Sequence, residues 1–343
     1  MLENTSIVIT TGAELTVLAT ATGAVITDLW LLPPPLSGDS QPLLARQRLA
    51  LWRLLGLCVM VFAAAAAVEL VLRTASMSGL PLRQAYTEID TVIFKTHYGR
   101  LWVWRAAAAL ALMIIWLSQR RHSAALSPPL GVLLAVIVIV VSLSAAGHGG
   151  DDGMLSTANI ANTLHILGAL LWGGGIVAFA LVILPMLKRS PEPAQALLAR
   201  SALRLSTLAG VALALTIVPG LYNAWSLVGS WQGLWSTRYG QLLIVKIILV
   251  AAMIALGAVN RYRYVPSLQI QAGHPPPHPW LPLPGFLRPS GARASGIHFL
   301  RSLRAEALVL LAILGMAAAL SQEMPAAHGE HHGTAHHARV AAQ

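Results

Sequence analysis

Apolar residues run along this chain in stretches of about 20 or more, broken by short polar or basic connections, and a bilayer-spanning helix needs about 20 such residues. Eight stretches qualify, at roughly 7–32, 49–72, 99–118, 128–146, 158–187, 203–228, 239–259 and 303–322. The pattern predicts an all-α fold, a polytopic integral membrane bundle of about eight transmembrane helices spread over residues 1–325. The first stretch is the weakest, because Glu14 and Asp28 interrupt it. The fifth is the longest and carries Trp172-Gly173-Gly174-Gly175, where small residues let a neighbouring helix approach closely. Residues 266–290 hold eight prolines and read as a cytoplasmic loop that forms neither helix nor core. Residues 326–343 are polar and His-rich, and read as a disordered tail on the outer side.

Composition agrees with a lipid solvent. The 343 residues are 56% hydrophobic and 10% charged, against about a quarter charged in a soluble domain, and the mean hydropathy is +0.67. A net charge of +10 would suit nucleic acid. The bases, however, sit in short connections between apolar runs, where they orient helices in a bilayer; the expected partner is lipid, with no nucleic acid. Arg46 and Arg48, Arg120 and Arg121, the Lys188–Arg204 segment and the Arg261–Arg304 segment share one side of an eight-helix arrangement, which is therefore cytoplasmic. The other side has Asp151 and Asp152 in one connection, a lone Arg238 in another, and a mixed loop after the second helix. Both termini then face outward. The start of the chain has no basic stretch ahead of its apolar run, so no cleaved leader is expected. Cys58 is the single cysteine, and no disulfide framework or CxxC motif exists.

An internal repeat is visible. Thr96-His97-Tyr98-Gly99-Arg100-Leu101 opens the third helix and Thr237-Arg238-Tyr239-Gly240-Gln241-Leu242 the seventh; a base follows six residues after each glycine, Arg105 and Lys246. Leu32-Pro33 and Leu184-Pro185 close the first and fifth. Two parallel four-helix halves explain these pairs. Arg105 and Lys246 are expected to satisfy helix polar groups or to snorkel.

Polar side chains at membrane depth mark function by default. In this topology they gather near the outer face: His165 two turns inside the fifth helix, Asn162 on nearly the same face, His148, Asp151, Asp152 and Met154 just before it, His97 opening the third helix, Glu69 closing the second, Tyr222 and Asn223 near the end of the sixth, and Met324 after the eighth. The tail adds His328, His331, His332, His336 and His337 as accessory ligands. Imidazole and thioether are the ligand set for copper where thiolates would oxidise. The competing readings are structural: a lone helical histidine is often simply satisfied, buried methionines are often packing, and the tail can bind metal nonspecifically. No phosphate-binding loop, catalytic triad pattern or HExxH motif occurs, so no enzyme activity is expected.

At these residues the sequence resembles the copper resistance protein D (CopD) family of bacterial inner-membrane proteins. The motifs are Asn162-Thr163-Leu164-His165 running on to Trp172-Gly173-Gly174, Ser144-Ala145-Ala146-Gly147-His148, Tyr239-Gly240-Gln241-Leu242-Leu243 with Lys246, Asn260-Arg261, and Arg301-Ser302-Leu303-Arg304-Ala305-Glu306. The likeness is good over about 140–320 and general before that. It implies copper transport or copper handling across the inner membrane, with copper ion as cargo. His148 and His165 are implied as ligands, and a periplasmic copper carrier of the CopC type as partner. The topology adds the expectation that the two imidazoles come within shared reach at the outer end of the bundle, with His97 or Met154 as further candidate ligands. The Pro-rich segment and the His-rich tail depart from the family pattern. A membrane b-type cytochrome and a copper-loading assembly factor are the alternatives; the first needs two opposed axial ligands.

Overall fold

The structure, a computed structural model, describes residues 2–32, 41–119, 129–147, 153–185, 193–275, 295–325 and 327. Among the described residues eight principal helices form: α1 (Leu2–Ile26), α2 (Gln41–Ser78), α3 (His97–Gln119), α4 (Pro129–Ala145), α5 (Thr157–Ala178), α6 (Pro193–Val228), α7 (Arg238–Val259) and α8 (Ser295–Leu320). Seven are long and apolar enough to cross a membrane, and α4 is a shorter apolar helix. The described residues contain no strand, and the protein is a polytopic all-α membrane protein.

Large apolar side chains point outward all along the helices, among them Trp104, Leu110, Val211, Val218, Ile248 and Leu308, each at least 60% exposed. In water such a surface would aggregate; in a bilayer it is the solvated face. Trp225, Trp231 and Trp235 are likewise exposed at one end of the bundle, where amphipathic rings favour the headgroup level.

Two helices make the centre. α1 packs on α2, α5 and α8, and α5 packs on α1, α6, α4 and α8. Although the first span is interrupted by Glu14 and Asp28, it is central, and both of these carboxylates are ion-paired: Asp28, in the π turn that follows α1, to Arg48 at 3.0 Å and Glu14 to Arg105 at 3.4 Å. α1 and α5 cross where Gly23 and Gly174 meet; a β-carbon on either would run into the other helix's backbone, at Gly174 O and Ala19 O.

The repeated sequence produces repeated devices. Thr96 accepts the Gly99 N–H at 2.9 Å and Thr237 accepts the Gly240 N–H at 3.1 Å, so the same hydroxyl caps α3 and α7. Gly79 and Gly229 end α2 and α6 with φ of 69° and 72°, a left-handed cap that glycine adopts without a Cβ penalty. π-helical turns follow α1 and α5, at Thr27–Leu31 and Phe179–Ile183.

The expected proline-rich loop starts later than its composition suggests. α7 continues through a π turn (Asn260–Tyr264) into a helix at Val265–Gln271. Pro266 stands directly after the π turn, the kind of local distortion that accommodates a residue without an N–H inside a continuous helix. Gln269 Nε2 donates to Ala199 O at 2.6 Å and fastens this extension to α6.

Candidate functional site

His165 lies half-buried on α5, facing α6. Its Nδ1 is 2.7 Å from the Thr216 carbonyl. A carbonyl only accepts, so Nδ1 carries the proton, and in the neutral ring Nε2 keeps a free lone pair. That is how metal-binding histidines are commonly held, with one ring nitrogen anchored and the other presented.

Two features of α6 and one of α5 shape the seat. Pro219 lies inside the helix and brings no N–H. Gly220 leaves the space the imidazole occupies: a β-carbon there would stand 2.7 Å from Nδ1. On the α5 side, a β-carbon at Gly168 would stand 2.7 Å from Thr216 Oγ1, so the helices touch closely on both sides of the ring. Gly220→Ala is therefore expected to push the imidazole off its anchor. If His165 binds copper, affinity should fall by about 10–100-fold, the usual cost of losing an outer-shell support. Titration with copper and a melting curve on the same sample separate this from unfolding.

A polar chain ties the near end of α5 to its neighbours. Ser144 Oγ donates to Asn159 Oδ1 at 2.6 Å and accepts from Asn162 Nδ2 at 3.0 Å. Asn162 Oδ1 accepts from Asn223 Nδ2 at 3.3 Å, and Asn159 Nδ2 donates to Met154 O at 2.7 Å. The chain joins α4, α5 and α6 one turn from His165. Ser144 and Asn159 are fully buried. Lys246 is half-buried on α7.

The other sequence candidates are scattered. His97 opens α3 and is exposed; Met154 and Met324 are 52% and 69% exposed. Among the described residues no three His, Cys, Asp or Glu side chains gather as a metal group. His148, Asp151, Asp152, His328, His331, His332, His336 and His337 lie outside the described residues, so the expected meeting of His148 with His165 does too.

Arg105 departs from its expectation. It neither snorkels nor caps a helix: it is 1% exposed, with Nη1 2.8 Å from Glu69 Oε2 and 3.4 Å from Glu14 Oε2. Arg73 Nε also reaches Glu69, at 3.0 Å, and its guanidinium stands 5.3 Å from the Tyr98 ring centre. Two arginines and two carboxylates thus clamp α1, α2 and α3. Glu14 stood out in the sequence only as an interruption; its partner Arg105 is 91 positions away, and no local signal announces it. The repeat could have helped, since it aligns Arg105 with Lys246.

The chain matches the family Copper resistance protein D over residues 199–320 and the family Copper resistance protein D-like, N-terminal domain over residues 1–158. Relatives include "Copper transport protein CutJ" of Bacillus subtilis, 26% identical over 65% of this chain and 41% of the relative. "Inner membrane protein YebZ" of Escherichia coli is 28% identical over 52% of this chain and 58% of the relative. "Copper resistance protein D" of Pseudomonas syringae pv. tomato is 29% identical over 59% and 66%. The chain thus spans about 41–66% of the length of these curated relatives. No solved structure matches it. With both halves matched, this chain belongs to the copper resistance protein D family.

Proposed function

We propose that this protein handles copper at the bacterial inner membrane and carries it across, with His165 Nε2 as a ligand in the outer half of the bundle. The observation that carries the reading is the 2.7 Å anchor of Nδ1 on Thr216 O, which presents the other ring nitrogen at membrane depth beside a glycine-cleared space. Imidazole suits copper, and a relative named for copper transport and another named for copper resistance support the cargo. His148, His97 and Met154 are the proposed additional ligands, and a periplasmic carrier of the CopC type the proposed donor. Asp28–Arg48 and the arginines of the α7 extension lie at the end opposite His165, and the excess of bases there supports reading that end as cytoplasmic. Both termini are then periplasmic, and the tail histidines, with Met324, would collect copper near the bundle mouth.

The cytochrome alternative finds less support. α6 meets the His165 ring with a glycine and a backbone carbonyl, and a b-type haem needs a second axial side chain.

The test is copper content of purified protein and copper flux into sealed vesicles, wild type against His165→Ala. The variant is expected to lose both while keeping its melting temperature within a few degrees. Full copper content and flux in His165→Ala would overturn the reading, and bound copper without flux in wild type would favour the assembly factor. A Soret band would favour the cytochrome.

A further inference from the structure

A second buried polar group sits below His165 and has no part in the site described. Glu306 of α8 is 2% exposed, and no cationic side chain among the described residues lies within ion-pair distance of it. It borders a cavity of about 280 Å³ between α6, α7 and α8, with Trp172 of α5 at one wall. Beside it is Asn260, 6% exposed, whose amide forms no well-aligned hydrogen bond. Gly257 opens the wall here: a β-carbon would stand 3.5 Å from Glu306 Oε1.

The charged and titratable groups around it are few. Arg261 and Tyr262 line the same cavity; Arg261 Nη1 is committed to Ser206 O at 2.8 Å and to its Oγ at 3.3 Å. α5 and α6 contribute no titratable side chain to the lining. Arg204 of α6 is bound to the Trp30 and Leu32 carbonyls at 3.0 and 3.2 Å. On α1, which packs against α8, Glu14 and Asp28 have their own arginines. On α8 itself Arg301 and Arg304 are exposed, and His298 stacks on Tyr264 at 6.3 Å.

An unpaired carboxylate at this depth is costly, so its countercharge must come from something that enters. One carboxyl and one amide offer too few oxygens for a calcium or magnesium shell, and the lining holds no sulfur or imidazole for copper. A proton needs one oxygen. The cavity has room for several waters at about 30 Å³ each, and Glu306, Asn260, Ser206 and Tyr262 offer them polar partners. It also lies on the helices that hold His165: Leu213 is one turn before Thr216 on α6, and Trp172 two turns beyond His165 on α5.

We propose that Glu306 is a proton-binding site reached through this cavity, and that it exchanges one proton as the cation passes between the His165 end and the cytoplasmic end. The second clause rests on the transport reading above; the first does not.

The experiment has two parts on the full chain in lipid. Dicyclohexylcarbodiimide, which reacts with protonated carboxyls in apolar surroundings, is applied to wild type across a pH series and the adduct mapped by mass spectrometry. Adduct on Glu306 is expected, lost as the pH becomes alkaline, and absent in Glu306→Gln. Copper uptake is then followed in vesicles containing a pH-sensitive dye. Wild type is expected to show a pH change accompanying uptake, Glu306→Gln to lose it, and Glu306→Asp to keep it. No adduct on wild-type Glu306 at any pH overturns the proton site, and this arm needs no variant to fold. Copper flux with the same proton movement in Glu306→Gln overturns the coupling. Labelling of Glu306 without any copper flux in wild type overturns the transport reading and leaves the proton site standing.

Discussion

Replacing Arg105 with methionine is expected to destabilise this protein by about 3–5 kcal/mol, the cost of stranding buried charge by removing one partner. Methionine fills much of the arginine's volume, so the loss is electrostatic more than steric. Glu14 and Glu69 would be left facing each other at 1% and 3% exposure, with only Arg73 in reach of Glu69. The clamp spans α1, α2 and α3, so its loss should loosen the whole first half and not a single helix end. The measurement is thermal or denaturant unfolding in a fixed detergent or nanodisc. The second arm is a rescue: Glu14→Gln with Glu69→Gln in the Arg105→Met background removes the stranded charges and should restore most of the loss. Failure of the rescue would mean that Arg105 acts through packing. A near-zero effect of Arg105→Met alone would mean that water reaches the cluster.

The second large effect is expected at the crossing of α1 and α5. Gly174→Val is expected to cost about 1–3 kcal/mol, toward the upper end of what overpacking does. The atom a new side chain would meet is the Ala19 carbonyl oxygen, part of a helix backbone that cannot rotate away. Close approach of small residues is what holds helices together where lipid is as apolar as the side chains. The paired change at Gly23, which faces Gly174 O, should be no milder. Gly173→Ala is the control, because its obstacle is the Leu310 side chain, which can change rotamer. A crossing that tolerated Gly174→Val as well as Gly173→Ala would show that α1 and α5 are free to separate. If His165 binds copper, the valine variant should weaken copper retention along with stability, because α5 also seats His165, whereas Gly220→Ala should act chiefly on retention.

The chain's pattern by itself determined the membrane class, the eight helices and the recurrence of the Thr-x-Tyr-Gly openings. Each depends on a local rule: span length, hydropathy, and a hydroxyl three residues before a free N–H. It also singled out His165 and the glycine run beside it, since a polar side chain in an apolar run is conspicuous wherever it lies. Helix ends were less legible. α2 and α6 run well past their apolar cores at the basic end, and Pro266 begins a helix where the count of prolines suggested none. Only the tertiary structure decided which polar groups meet. Thr216 is 51 positions from the histidine it anchors, Glu14 is 91 from Arg105, and Asn260 and Glu306 share a cavity across three helices. Helical periodicity says which face a residue occupies, but partner choice follows from how helices cross. That crossing is set by glycine contacts such as Gly23 with Gly174 and Gly220 with His165, where the relevant feature is a missing side chain and the neighbour it admits.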